Sequence, residues 1–170
     1  MIFLGIGSNL PSKYGDRFDN INLAISLLES YGIKIISKSS CYETPSYPDI
    51  KKPKFINIVV SVESHLPPED LMSVLIHIEE KLERVRVAKN DPRTCDIDII
   101  DYNGEIKISS YRNEEFVMPH KELSSRNFVL FPLKEIASNW KHPKSNKTID
   151  ELIDNLTKDE KNSILKIKKN

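Results

Sequence analysis

Two aspartates lie two positions apart in residues 92–101, which run Pro-Arg-Thr-Cys-Asp-Ile-Asp-Ile-Ile-Asp. The stretch predicts a β-strand, because its isoleucines are β-branched and its polar and apolar residues alternate. Successive side chains of a strand point to opposite faces, so Asp96 and Asp98 share one face, while Cys95, Ile97 and Ile99 face a core. At a separation of about 6–7 Å, the two carboxylates repel each other by about 2.5 kcal/mol in an effective dielectric of about 20. A hard cation such as Mg²⁺ relieves that repulsion. The plainer interpretation is a pair of aspartates that solvates an edge strand.

The size and charge of the chain exclude several classes of function. Its 170 residues predict one domain, with the fold in 1–160 and a frayed basic tail in 161–170. The 25 basic and 25 acidic residues balance, so no overall field favours nucleic acid or an anionic membrane. No apolar run approaches the roughly 20 residues of a membrane span, and the N-terminus lacks a signal-peptide pattern. We therefore expect a cytoplasmic protein with Cys41 and Cys95 reduced, although the sequence leaves a disulfide between them open.

Apolar periodicity predicts strands interspersed with helices. Strands are predicted at 1–7, 33–43, 55–63, the aspartate stretch and 105–110, and helices at about 16–30, 67–84, 128–137 and 149–156. Residues 44–53 contain three prolines and form a loop longer than the usual length of about four to six residues, which favours a functional role. Gly5 and Gly7 lie at the end of the first strand, but Leu10 replaces the third glycine of the dinucleotide fingerprint, and no phosphate-binding loop motif occurs.

Arginines flank the aspartate pair on its N-terminal side. Arg84 and Arg86 lie at the predicted end of a helix, where cations favour the helix dipole and need no further explanation. Arg93, however, follows after a short loop and directly precedes the aspartates. Guanidinium groups beside metal-binding carboxylates are typical of phosphate handling, since arginine grips phosphate bidentately while a metal bridges other oxygens.

The motifs and their order resemble the 6-hydroxymethyl-7,8-dihydropterin pyrophosphokinases of folate biosynthesis, over about residues 1–157. The resemblance rests on Gly7-Ser8-Asn9-Leu10, Tyr42-Glu43-Thr44-Pro45, Phe55-Ile56-Asn57, Arg84-Val85-Arg86, Pro92-Arg93-Thr94-Cys95-Asp96-Ile97-Asp98, Pro119-His120 and Arg126-Asn127-Phe128. It implies a ferredoxin-like α/β fold, in which helices pack on an antiparallel sheet. It also implies transfer of the intact diphosphate of ATP to the hydroxymethyl group of a reduced pterin, with release of AMP. Two Mg²⁺ ions would assist, and we expect a monomer.

The resemblance also implies roles for individual residues. Asp96 and Asp98 would bind the two Mg²⁺ ions. Arg84 and Arg93 would hold phosphate and stabilise the transferring group, with His120 and Arg126 also on the ATP side. The pterin pocket would be formed by Thr44, Pro45, Tyr47, Phe55, Asn57 and Phe128. Glu79 matches a family position near the active site, and Arg86 would lie in a mobile loop.

The chain departs from the family pattern at two places, and other functions compete with this interpretation. Asn90 and Asp91 stand where the family often has an aromatic residue and a glycine, and Lys121 replaces a frequent tyrosine. A nucleotide-sugar glycosyltransferase also uses Asp-x-Asp with a divalent cation, but it calls for a larger fold. A non-catalytic ferredoxin-like module that binds a ligand or RNA would leave the cluster of arginines and aspartates unexplained, and the balanced charge argues against RNA.

Overall fold

The computed structural model describes residues 1–85 and 91–167. The strands are β1 (Ile2–Ser8), β2 (Lys34–Lys38), β3 (Tyr42–Thr44), β4 (Phe55–Glu63), β5 (Asp96–Tyr102), β6 (Lys107–Tyr111), β7 (Glu114–Met118) and β8 (Leu165–Lys166). The helices are α1 (Arg17–Ser30), α2 (Pro68–Lys81), α3 (Asn127–Ile136), α4 (Ile149–Asp154) and α5 (Lys158–Asn162), with a 3₁₀ turn at Leu123–Ser125.

The main sheet is antiparallel in the order β5-β1-β4-β3-β8. β2 pairs with the second half of β4, beyond the residues that pair with β3. With α1 and α2 as the connections, this is the split βαβ arrangement of two interleaved units. The ferredoxin-like fold expected from the sequence is confirmed, and β1 lies between β4 and the aspartate strand β5.

Each face of the sheet buries its own apolar cluster. On one face, α1 and α2 pack against Ile97 and Ile99 of β5, and Cys95 is buried with them, as the strand periodicity predicts. On the other face, α3 and α4 pack against Ile100 of β5 and Val59 of β4. Cys41 and Cys95 are thiols rather than a disulfide. The chain is thus a three-layer structure over much of its sheet, and the aspartate face of β5 is the face that carries α3.

α2 ends three residues earlier than the periodicity predicts, and the reason is a tight turn. Glu83 has a φ of 64°. Its N–H donates to the carbonyl of Glu80, and the N–H of Arg84 donates to the carbonyl of Glu79, each at 3.0 Å. This pair of bonds is the Schellman motif, in which glycine is usual at the left-handed position. Here Glu83 occupies that position, and its carboxylate accepts a hydrogen bond from the backbone N–H of Lys13 at 3.0 Å. The turn directs Arg84 back toward Glu79.

Three further parts of the chain differ from the sequence prediction. The strand predicted at 33–43 is divided into β2 and β3, because Ser39 bonds to both backbone groups of Val59 and interrupts the pairing. The strand predicted at 105–110 is one arm of a hairpin, with β7 as the other. The segment expected as a tail contains β8, which pairs with β3, and the N–H of Ile167 donates to the carbonyl of Cys41 at 2.8 Å.

No helix among the described residues is long and apolar enough to cross a membrane.

Candidate active site

The site begins at β1, where glycine leaves space above the sheet. Gly7 of β1 lies opposite Asp96 on one side and Asn57 on the other. Directly opposed residues of antiparallel strands point to the same face, so the aspartate and the asparagine flank Gly7 on one face. A Cβ on Gly7 would lie 2.9 Å from Oδ1 of Asn57. Glycine here keeps open the space between Asp96 and Asn57 on this face.

Three arginines converge on the two aspartates, as the sequence predicts for two of them. Arg84 lies 2.6 Å from Asp96 and Arg93 lies 3.2 Å from the other oxygen of that carboxylate. Arg126 lies 3.0 Å from Asp98 and also contacts Glu122. The arginines reach the pair from the end of α2, from the segment before β5 and from the start of α3. The fold therefore brings side chains from separate parts of the chain together into one compact charge cluster.

Glu79 is the buried anchor of this cluster. Only 3% of its surface is exposed, and its Oε1 lies 2.5 Å from the Arg84 guanidinium. The same oxygen accepts the N–H of Ile97 at 2.7 Å, so one side chain of α2 orients both Arg84 and the backbone of the aspartate strand. Burial lowers the pKa of Arg84, but the carboxylates of Asp96 and Glu79 outweigh burial and raise it overall. Arg84 is therefore a permanent cation held in one orientation.

The environment of Asp98 opposes ionisation. Burial raises its pKa and the Asp96 carboxylate raises it further, while His120 and Arg126 partly offset both effects. Burial also lowers the pKa of His120, whose Nδ1 accepts the N–H of Glu122 at 3.2 Å. His120 is accordingly a neutral imidazole with Nε2 as its donor.

Crowded carboxylates of this kind supply the oxygen ligands that Mg²⁺ prefers, so the donor set at Asp96 and Asp98 fits that ion. The described residues hold no group of three or more His, Cys, Asp or Glu side chains suited to a metal.

Three of the residues predicted to form the pterin pocket adjoin the charged cluster. Asn57 is buried and donates through Nδ2 to Oγ1 of Thr44 at 3.0 Å. The half-buried Phe55 ring lies 5.4 Å from the Arg93 guanidinium carbon, and the Phe128 ring lies 5.5 Å from that of Arg126. Arg93 and Arg126 therefore each contact one aspartate and one aromatic ring, which connects the charged cluster to the aromatic residues.

The remaining predicted residues lie at or beyond the margin of this pocket. Pro45 is exposed, and Tyr47 has 85% of its surface exposed in the proline-rich loop, so its ring is not buried against Phe55 or Phe128. Lys121 is exposed as well, and Asp91 lies 3.4 Å from Lys52 of the proline-rich loop. Arg86 and Asn90 fall outside the described residues.

Asn9 connects two segments of the site, although the sequence pattern predicted no role for it. It is 2% exposed, and its Oδ1 accepts the N–H of Arg93 at 2.7 Å. Its Nδ2 donates to the carbonyl of Pro53 at 3.0 Å and to Oγ of Ser46 at 3.2 Å. Asn9 therefore fastens the segment before β5 to the proline-rich loop. Its place in the Gly7–Leu10 motif was a signal, but its partners are distant in sequence.

Comparison with known proteins identifies the same family as the sequence motifs. The sequence model of the family described as 7,8-dihydro-6-hydroxymethylpterin-pyrophosphokinase (HPPK) matches residues 3–138. The chain is 36% identical over 136 residues to the 2-amino-4-hydroxy-6-hydroxymethyldihydropteridine pyrophosphokinase of Methylorubrum extorquens. The aligned region covers 79% of this chain and 81% of that protein. The chain is 37% identical over 152 residues to the protein of the same name from Synechocystis, with 89% and 73% covered.

The fold is also similar to solved structures. The wild-type HPPK-DHPS of Plasmodium falciparum, solved with pteroate, superposes with a TM-score of 0.72 at 17% identity. The similarity covers 90% of this chain and 43% of that one, so this chain spans less than half of the larger protein. On the sequence match over residues 3–138 and the identity to both relatives, this chain belongs to the 7,8-dihydro-6-hydroxymethylpterin-pyrophosphokinase family.

Proposed function

We propose that this chain transfers the intact diphosphate of ATP to the hydroxymethyl group of 6-hydroxymethyl-7,8-dihydropterin and releases AMP, a step of folate biosynthesis. The observation that carries the proposal is the junction of two half-sites: two of the three arginines that bind the aspartates, Arg93 and Arg126, also lie over Phe55 and Phe128. One half suits a polyphosphate and the other suits a flat heterocycle. The larger fold of a nucleotide-sugar glycosyltransferase does not match the split βαβ sheet.

Asp96 and Asp98 would hold two Mg²⁺ ions. When bound, these ions neutralise phosphate charge and polarise the attacking hydroxyl. The two carboxylates keep part of their surface exposed, 25% for Asp96 and 36% for Asp98. Mg²⁺ is usually held by one or two carboxylates together with substrate phosphates, which is the arrangement that a polyphosphate bound beside these carboxylates would provide.

The arginines would exchange carboxylate partners for phosphate partners as ATP binds. Arg93 supports this role with a buried Nε that has no hydrogen-bond partner among the described residues. A buried donor without an acceptor is costly, and a phosphate oxygen would satisfy it. Arg84 would hold phosphate from a fixed orientation, while Arg126 and the neutral His120 would donate to ATP from the α3 side. Little covalent chemistry is left to the protein, because positioning and charge neutralisation carry most of such a transfer.

The acceptor would bind between Phe55 and Phe128, with Asn57 at the edge of its ring. An asparagine amide offers both a donor and an acceptor to a pterin edge, and Thr44 fixes its orientation. The primary hydroxyl would then face the aspartates, one of which can accept its proton during attack. All these residues come from one chain, so a monomer suffices for the reaction.

A direct assay separates this function from its alternatives. Incubation with ATP, Mg²⁺ and 6-hydroxymethyl-7,8-dihydropterin is expected to yield AMP only when the pterin is present, and EDTA is expected to abolish the product. A non-catalytic module would form no AMP in either case. A glycosyltransferase would instead consume a nucleotide sugar and leave ATP intact.

Arg93→Ala is expected to lower kcat by about a hundredfold or more, while the KM for ATP changes much less. The reason is that charge develops on the transferring group, so the contact of Arg93 strengthens in the transition state. Steady-state kinetics with varied ATP measures both constants. Arg112→Ala is the matched control, because that arginine pairs with Glu80 on an exposed surface. A rise in the KM for ATP alone would make Arg93 a ground-state clamp.

Phe128→Ala is expected to raise the Kd of the pterin at least tenfold, or about 1.4 kcal/mol. The substitution removes one of the two stacking surfaces, and a well-formed stack contributes about 0.5–1.5 kcal/mol beyond area burial. Calorimetric titration with Mg²⁺ and a non-hydrolysable ATP analogue measures the Kd. Phe116→Ala is the control, since Phe116 packs on the opposite face of the sheet. An equal effect of both substitutions would show that Phe128 acts through stability alone.

A further inference from the structure

The chain continues past the family match into a segment that returns to the active site. The match ends at residue 138, and α5 and β8 follow within residues 157–167. We call residues 157–167 the C-terminal strap. Two of its contacts adjoin residues that the proposed function assigns to the acceptor pocket.

The first contact is made through Asn127, the first residue of α3. Asn127 lies between Arg126 and Phe128 and is 9% exposed. Its Nδ2 donates to the carbonyl of Glu160 at 2.6 Å and to Oγ of Ser163 at 3.0 Å. The side chain thus fixes the first turn of α3 to the strap, and with it the backbone that directs the Phe128 ring.

The second contact is made through β8, which covers the edge of β3. Lys166 and Leu165 pair with Tyr42 and Glu43. These two residues directly precede Thr44, which orients the Asn57 amide. A strand edge without a neighbour exposes unpaired backbone groups, so β8 stabilises the short β3 in the geometry that places Thr44.

The strap also contacts the last turn of α3, through Glu135. The Glu135 carboxylate accepts the hydroxyl of Tyr42 at 2.8 Å and both the N–H and the hydroxyl of Ser40. Lys166 of the strap lies 3.3 Å from it. α3 is therefore held at its first turn by α5 and near its last turn by β8 and β3, which fixes its position over the sheet.

We infer that the C-terminal strap is a positioning element for the acceptor pocket, with Asn127 as its principal contact. The inference rests on the proposed function for the identity of the acceptor. Asn127 acts through Phe128, and β8 acts through Thr44. The phosphate half of the site is less dependent on the strap, because Arg126 has its own anchors in Asp98 and Glu122, and Arg84 and Arg93 lie on other elements.

The test compares Asn127→Ala with Thr148→Ala in the full-length protein. Thr148 caps α4 with Glu151, in a capping box that lies beyond residue 138 but outside the strap. Steady-state assays give kcat and the two KM values, and thermal melting gives the stability of each variant. Asn127→Ala is expected to raise the KM for the pterin by about fivefold, which corresponds to the loss of a well-placed hydrogen bond. The KM for ATP is expected to stay within about twofold, and Thr148→Ala is expected to leave both constants unchanged.

Two results would overturn the inference. One is an unchanged KM for the pterin in Asn127→Ala. The other is an equal rise in both KM values, which would indicate general loosening rather than positioning. Should Asn127→Ala fail to fold, Ser163→Ala removes only one of the two acceptors and is expected to give the same selective rise at smaller size, with equal or absent effects again overturning the inference. Failure of the proposed function is a separate observation, because the unaltered protein would then form no AMP.

Discussion

Asp98→Asn is expected to lower kcat by about a thousandfold and to leave the fold intact. The substitution keeps the shape of the side chain but removes the charge that binds a hard cation. It also relieves a repulsion, because burial and the Asp96 carboxylate raise the pKa of Asp98. The melting temperature should therefore be close to that of the unaltered protein, or above it, while turnover at saturating Mg²⁺ is almost lost.

Asp101→Asn is the matched control, since it is the same substitution three residues later on the same strand. Asp101 is 3% exposed, and its two oxygens accept the N–H groups of Gly104 at 2.8 Å and Trp140 at 2.7 Å. Asparagine has only one acceptor oxygen, and its NH₂ group cannot accept the second N–H. This variant should therefore lose about 1–3 kcal/mol of stability and keep its kcat. Full activity of Asp98→Asn, or loss of activity in both variants, would contradict the metal-binding role of the aspartate pair.

Glu79→Ala is expected to lower the free energy of unfolding by about 3 kcal/mol. The substitution leaves the N–H of Ile97 without its acceptor and removes one of the two carboxylates that neutralise Arg84, of which only 10% is exposed. We also expect kcat to fall, because Arg84 loses the partner that fixes its direction. Urea denaturation measures the stability and steady-state kinetics measures the turnover.

Glu80→Ala tests whether the stability lost in Glu79→Ala depends on the position of the Glu79 carboxylate or only on its negative charge. Glu80 is the next residue of α2, but its pair with Arg112 is about half exposed, and exposed pairs contribute little. Its replacement should therefore cost much less stability than that of Glu79. A similar loss in both variants would mean that α2 depends on its acidic charge and that Glu79 is not a specific anchor.

The aspartate face could be predicted from sequence because strand periodicity is local. Alternation alone places Ile97 and Ile99 in the core and Asp96 and Asp98 on the other face, and the structure agrees. The convergence of Arg84 and Arg93 on that pair was also predictable, since few residues separate each from Asp96. The resemblance to the family added Arg126, whose position beside Asp98 depends on a contact between residues far apart in the chain.

The parts that escaped prediction depend on distant or unusual contacts. Asn9 and the strap work through hydrogen bonds between residues that are separated by more than thirty positions. The early end of α2 depends on a glutamate in a conformation that usually requires glycine. A periodic pattern cannot reveal such partners, because nothing in the local residue order specifies which distant group completes the bond.

The identity of the nucleotide product tests the central claim most directly. We would incubate the protein with ATP, Mg²⁺ and 6-hydroxymethyl-7,8-dihydropterin and resolve the products by ³¹P NMR as the reaction proceeds. The account predicts AMP and a pterin that carries an intact diphosphate, formed in equal amounts. ADP with a singly phosphorylated pterin, or free diphosphate without a modified pterin, would contradict it.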